Sequence, residues 1–154
     1  MFPMLNKLVP DFELPSTGGK TFKLSEHFGK NLVIYFYPKD STPGCTTQGV
    51  QFRDNYPDFV KLNSEIVGIS RDSLSSHEKF KSKFQFPFEL LSDSQELACQ
   101  LFNVIKMKKM YGKEVRGIER STFVINAEGI LIREWRGVKV EGHVTEVLDF
   151  VNSI

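Results

Sequence analysis

From Asn31 to Tyr37 the chain reads Asn-Leu-Val-Ile-Tyr-Phe-Tyr, a run of apolar and aromatic side chains with no polar alternation. So short a run, rich in β-branched and aromatic residues, predicts a strand buried on both faces. Pro38 ends it. Glu65-Ile-Val-Gly-Ile-Ser70 predicts a second buried strand. Between the two the period changes: Phe52, Tyr56, Phe59 and Val60 fall on one helical face within Cys45 to Leu62. Gly49 and Pro57 interrupt that face. A mid-helix glycine costs about 1 kcal/mol relative to alanine, and proline removes a backbone donor, so the expected helix is kinked and easily frayed. Ser75-Ser-His-Glu78 reads as a capping box for a further helix carrying Phe80 and Phe84.

The flanks complete the pattern. Asp11–Leu14 and Thr21–Leu24 are short alternating segments separated by Pro15-Ser-Thr-Gly-Gly19, which predicts an N-terminal hairpin, with Ser25 capping a short helical turn after it. Phe86–Leu91, interrupted by Pro87, reads as an edge-like strand, and Ser92-Asp-Ser-Gln95 caps a helix that turns Leu97, Ala98, Leu101 and Phe102 inward. Val104 to Gly117 is basic and reads as irregular. Arg120–Ile125 and Ile130–Trp135 flank Asn126-Ala-Glu-Gly129, a hairpin signal, and Val144, Val147, Leu148 and Val151 mark a closing helix. Strands linked by helices, then a hairpin and a last helix, predict an α/β fold of thioredoxin-like type. A central mixed sheet would be flanked by helices, with the hairpin at the N-terminus. No repeat or linker divides the 154 residues, so residues 1–154 read as a single domain whose compact part starts near Met4.

Charge and composition narrow the partners. Twenty basic and 19 acidic side chains leave a net +1, too little to attract nucleic acid or a membrane surface. Forty percent hydrophobic residues exclude intrinsic disorder, and 14 phenylalanines promise a bulky aromatic core, with few left to line a substrate entrance. The longest apolar run falls far short of the roughly 20 residues that span a bilayer, and the first residues lack a signal-peptide pattern. A cytoplasmic location is the expectation. Two cysteines, Cys45 and Cys99, make neither a disulfide framework nor a zinc site. His27, His77 and His143 lack ligand spacing and are expected on solvent-facing turns or helix starts, not around a metal. The lysines at 106, 108, 109 and 113, with Arg116, read as a solvated loop.

The chemistry gathers after the first buried strand, in Tyr37-Pro-Lys-Asp-Ser-Thr-Pro-Gly-Cys-Thr-Thr-Gln48. Ligands of α/β sheets bind at that strand end. It sets Cys45 at a helix start, where unpaired amides and the positive end of the dipole favour the thiolate. Pro43 stiffens the turn, Gly44 leaves the amides open to a small substrate, and Thr42 offers a hydroxyl. By itself, a lone cysteine at a helix start is more often structural than catalytic. Nothing assigns Lys39 or Asp40 a chemical step.

Pro38-x-x-x-Thr42-x-x-Cys45 resembles the active-site motif of peroxiredoxins, and Thr42-Pro-Gly-Cys-Thr46 resembles their bacterioferritin-comigratory, or Q-type, branch. The likeness runs from Val9-Pro-Asp-Phe12 through Ile66–Ser70, Leu91-Ser-Asp93 and Arg120-Ser-Thr-Phe123 to the closing helix. It implies a monomer or weak dimer that reduces hydrogen peroxide and organic hydroperoxides without metal, haem or flavin. Cys45 then corresponds to the peroxidatic cysteine, and Thr42 to the residue that orients the peroxide. Pro38 shields the sulfur, the amides of Gly44 and Cys45 bind substrate oxygens, and Arg120 activates the thiolate. The Arg120 assignment rests on the resemblance alone.

Two positions depart from that pattern. Many Q-type members carry a resolving cysteine where this chain has Val50, and many carry Glu where it has Gln48. Cys99 remains, read first as a half-buried packing residue and second as a resolving thiol. The favoured expectation is a one-cysteine cycle completed by an external thiol, thioredoxin or glutathione with glutaredoxin. A two-cysteine cycle through Cys99 and a non-catalytic redox-sensing module stay open. A thiol–disulfide oxidoreductase is weakened by the missing Cys-x-x-Cys pair.

Overall fold

The computed structural model describes residues 5–154, so Met4, where the compact unit was expected to begin, lies outside the described residues. In chain order the elements are β1 (Glu13–Ser16), β2 (Lys20–Lys23), β3 (Asn31–Phe36), α1 (Pro43–Lys61), β4 (Ser64–Ser70), α2 (Leu74–Phe84) and β5 (Glu89–Ser92). They continue as α3 (Leu97–Leu101), β6 (Ile105–Met110), β7 (Lys113–Ile118), β8 (Ser121–Ile125), β9 (Leu131–Arg136) and α4 (His143–Asn152). Seven strands form one sheet in the order β2-β1-β5-β4-β3-β8-β9. β3 runs parallel to β4 and antiparallel to β8, so the sheet is mixed, as the element order predicts.

The period of a strand divides the core in two. Leu32, Ile34 and Phe36 of β3 face a cluster with Phe12, Phe22, Phe102, Phe123 and Cys99. Val33, Tyr35 and the adjacent Tyr37 face the other, with Cys45, Phe52 and Phe59 of α1, Phe80 of α2, and Val144, Val147 and Val151 of α4. Both clusters are aromatic-rich, and Phe52, Phe59, Phe102 and Phe123 are fully buried. Each such side chain contributes about 1.5–3 kcal/mol by leaving water.

Several local expectations are corrected. α1 runs unbroken through Gly49 and Pro57. Gly49 is not a weak point but a contact: a Cβ there would stand 2.5 Å from Phe86 Cζ. Pro57 is tolerated on the exposed side, and Val60, expected on the inner face, is also exposed. Ser73, not Ser75, caps α2 by accepting from the Ser76 amide, while Glu78 accepts from Gly18 of the hairpin turn. Ser25 does not cap the short 3₁₀ turn at Leu24–His27; its amide and hydroxyl both donate to Asp11. Pro15 pairs with Thr21 inside β1 instead of lying in the turn.

β5 is not an edge strand, since β4 flanks it on one side and Ser16 of β1 pairs with Leu91 on the other. In α3, Ala98 is buried, as is Phe102 just after it, but Leu97 is exposed. The stretch read as irregular is a two-stranded ladder, β6 with β7. Its turn, Tyr111-Gly112, has φ of 53° and 77°, the paired positive values of the tight turn that suits a hairpin. The ladder was hidden because neither of its faces is buried along its length, so lysines occupy positions that alternation would fill with apolar residues. No helix of the described residues is long and apolar enough to cross a membrane.

Candidate active site

β3 delivers the chain to the site. The Tyr37 amide still donates to Ile69, after which Pro38 leaves the sheet and residues 38–42 form a loop leading into α1. Thr42 occupies the N-cap position without capping; its Oγ1 donates to the Lys39 carbonyl at 2.8 Å. That bond uses the hydroxyl hydrogen and leaves the oxygen free to accept from the O–H of a hydroperoxide. Pro43 has no amide hydrogen, and the first helical bond runs from Thr46 to Thr42. The amides of Gly44 and Cys45 therefore have no partner within the helix. Cys45 lies at this end of α1, only 2% exposed.

Arg120 reaches the sulfur from the neighbouring strand. Phe36 pairs with Ser121, which sets Arg120, the residue before β8, beside the loop that follows β3. Its Nη2 lies 3.5 Å from Cys45 Sγ and its Nη1 donates to Gln48 Oε1 at 2.6 Å. A Cβ on Gly44 would come within 3.2 Å of that Nη2 and press on the guanidinium. Pro38, half-buried, starts the loop that leads from β3 to Cys45. The structure thus brings Pro38, Thr42, Gly44, Cys45 and Arg120 together at one strand end.

Three further groups belong to this neighbourhood: Gln48, noted in the sequence only as a departure from the resembled pattern, Lys108, read there as part of a solvated loop, and Tyr35. Gln48 Nε2 and Tyr35 Oη are buried with no partner among the described residues. Burial raises the Tyr35 phenol well above its usual range, and negative charge on Cys45 adds to that. Lys108, on β6, donates to the Ile118 carbonyl, and burial followed by the nearby Arg120 charge lowers its ammonium below the usual lysine range. Nothing in the local pattern of a lysine-rich segment distinguishes this lysine.

Cys99 is elsewhere. It belongs to the cluster on the opposite face of the sheet from Cys45 and is 0% exposed rather than half-buried. Its amide donates to Asp93 at 2.7 Å. Burial, and then the Asp93 carboxylate, push its thiol far above the usual range. A disulfide needs Cα atoms about 4.4–6.8 Å apart, which a sheet between the two cysteines does not permit without rearrangement. A cleft of about 640 Å³ borders Cys99, Leu97, Ile105 and Arg116, away from Cys45.

The histidines correct a second expectation: His77 and His143 are buried. His143 Nε2 shares a 2.8 Å hydrogen bond with Thr122 Oγ1, and burial lowers the ring to about 4. Ligand-type atoms of His77, Asp40 and Asp72 lie within 4.8 Å of one another. Their lone pairs are already engaged. His77 Nε2 faces the Leu91 carbonyl at 2.9 Å, which only accepts, so that nitrogen carries a proton. Nδ1 and Asp40 Oδ2, 2.7 Å apart, share another. A cation there would have to expel that proton, so the donor set is a hydrogen-bonded knot rather than a ready metal site.

The chain also has relatives among known proteins. A family model described as AhpC/TSA family matches residues 5–134. Peroxiredoxin Bcp of Bacillus subtilis is 51% identical over 150 residues, covering 97% of this chain and 96% of its own. The solved PrxQ of Xylella fastidiosa has a TM-score of 0.93 at 40% identity, covering 99% of this chain and 98% of that one. A structure of the Xanthomonas campestris bacterioferritin comigratory protein, described in terms of its alkyl peroxide reduction activity, has a TM-score of 0.88 at 50% identity, with 92% and 90% of the two chains covered.

Proposed function

The chain belongs to the AhpC/TSA family and is a peroxiredoxin of the Bcp type, and from that premise we propose that Cys45 is its peroxidatic residue in a one-cysteine cycle. The observation that carries this reading is the Arg120 Nη2 to Cys45 Sγ contact of 3.5 Å at a helix start whose first amides are free. A full positive charge lies beside a sulfur screened from water at a helix start with two unpaired amides, an arrangement that stabilises a thiolate and the charge moving onto peroxide oxygen.

The steps follow from the groups present. The Cys45 thiolate attacks the terminal oxygen of ROOH, an S–O bond forms as O–O breaks, and the departing alkoxide takes a proton to leave as ROH, or as water from hydrogen peroxide. Sulfur loses two electrons to the O–O bond and becomes a sulfenic acid. Thr42 orients the substrate by accepting its O–H. Arg120 and the amides of Gly44 and Cys45 hold the peroxide oxygens, and Pro38 excludes water. An external thiol then displaces water from the sulfenic acid to give a mixed disulfide, and a second thiol of the donor releases Cys45. Thioredoxin, or glutathione with glutaredoxin, supplies those electrons to a monomer working in the reducing cytoplasm. Cys99 resolving Cys45 is disfavoured by its position across the sheet.

The test is intact mass after one equivalent of hydrogen peroxide without reductant, with a sulfenic-acid trap, on the native protein and on Cys99→Ser. One added oxygen, trapped on Cys45 in both, is expected. Loss of two hydrogens in the native protein alone, with a Cys45–Cys99 link, would replace this reading by the two-cysteine cycle.

A further inference from the structure

The loop that carries Pro38 and Thr42 is tied down by one buried carboxylate. The Asp40 side chain is 2% exposed. Its Oδ1 accepts from the Tyr37 hydroxyl at 2.6 Å, and its Oδ2 accepts from Ser76 Oγ at 2.8 Å and pairs with His77 Nδ1 at 2.7 Å. The Asp40 amide donates to Asp72 Oδ2 at 2.9 Å. One residue therefore joins the end of β3, the first turn of α2 and the turn between β4 and α2. His77 carries the connection on to β5 through Leu91.

The loop does not hold this shape by its own preferences. Lys39 and Ser41, on either side of Asp40, are exposed, and Ser41 has a φ of 63°, a left-handed conformation that a residue with a Cβ disfavours. The bonds to Asp40 anchor the loop beside it. The same loop faces two opposed demands. Peroxide attack needs Pro38, Thr42 and the free amides closed around Cys45, whereas a thiol carried by another protein cannot reach a sulfur that is 2% exposed.

On the reading of Cys45 proposed above, we infer that Asp40 and His77 are positioning residues that form a latch, closed for oxidation of Cys45 and opened for its reduction. Neither residue reacts. Closed, the pair presents Thr42 and the α1 amides to the peroxide. Opened, it frees residues 38–45 to swing out. Water can replace each of these bonds once the loop moves, so the latch biases the balance without locking it.

The test measures the two half-reactions separately in the native protein, Asp40→Asn, His77→Asn and the milder Ser76→Ala. Sulfenic-acid formation with hydrogen peroxide is followed by rapid quench and mass. Reduction of the preformed sulfenic acid is followed with reduced thioredoxin. Weakening the latch is expected to slow the first step and speed the second. Each should change by about tenfold for Asp40→Asn, the weight of one or two buried hydrogen bonds, and by less for Ser76→Ala. Opposed signs are the signature, since general loosening of the fold would slow the first step without speeding the second. Two rates that fall together, or neither moving in Ser76→Ala and Asp40→Asn, would overturn the latch. Failure of the native protein to form a sulfenic acid on Cys45 would instead overturn the reading it rests on.

Discussion

Cys45 and Cys99 are the same residue buried to nearly the same degree, 2% and 0% exposed, on opposite faces of one sheet. Their surroundings differ in sign. Cys45 sits where a helix begins, with free amides and the Arg120 guanidinium against it. Cys99 sits beside the Asp93 carboxylate in an apolar cluster, and its thiol is held in the protonated form by burial and by that charge. Burial alone would make both inert. What would make Cys45 a nucleophile where Cys99 packs is the charge the fold places beside it.

The comparison is broken most directly by removing that charge. Arg120→Met should lower the second-order rate of peroxide reduction about 10²–10³-fold, the usual effect of losing an aimed donor to developing negative charge. Stopped-flow peroxide consumption would measure it, and a loss below tenfold would mean that the helix start alone activates Cys45. Next comes the packing under the active-site helix. Gly49→Ala pushes a methyl group into Phe86 and should lower unfolding stability by about 1–3 kcal/mol, as overpacking does, read from urea denaturation.

Cys99→Ser asks whether the second face takes part at all. Turnover should stay within about twofold, while a hydroxyl in place of a fully buried thiol should lower stability by about 1–3 kcal/mol. Alkylation of the native protein at neutral pH should modify Cys45 before Cys99. A further effect belongs to acid. His143 titrates at about 4 in the fold against about 6.5 unfolded, so the unfolded chain binds the proton first. Its contribution is complete above pH 6.5 and is lost as pH falls toward 4. Thermal melts across that window should show a slope that flattens in His143→Gln, on the Cys45 side of the sheet.

Much of this contrast was legible in the chain. The run at 31–37, the helical face of Phe52 and Phe59 and the hairpin at 126–129 all became the expected elements, because burial on one or both faces leaves its period in the sequence. Where burial is one-sided or missing, the pattern failed. Lysines disguised the ladder β6–β7, and Pro87 suggested an edge for a strand that the N-terminal hairpin covers. Lone polar residues misled in the same way. His77 read as solvent-facing because nothing near it announces Tyr37, Asp40 and Leu91 as partners.

By itself the sequence determined the order of strands and helices apart from β6 and β7, a two-sided core, and a cysteine placed where a buried strand ends and a helix begins. These are local matters, written in periods of two and 3.6 residues and in the turn chemistry of proline and glycine. Only the tertiary structure decided that Arg120 lies 3.5 Å from Cys45, that Cys99 faces the other way, and that Asp40 binds His77. Each is a distance between residues far apart in the chain. Such distances follow from strand order, register and the face on which a helix packs, and those are settled by the whole core at once.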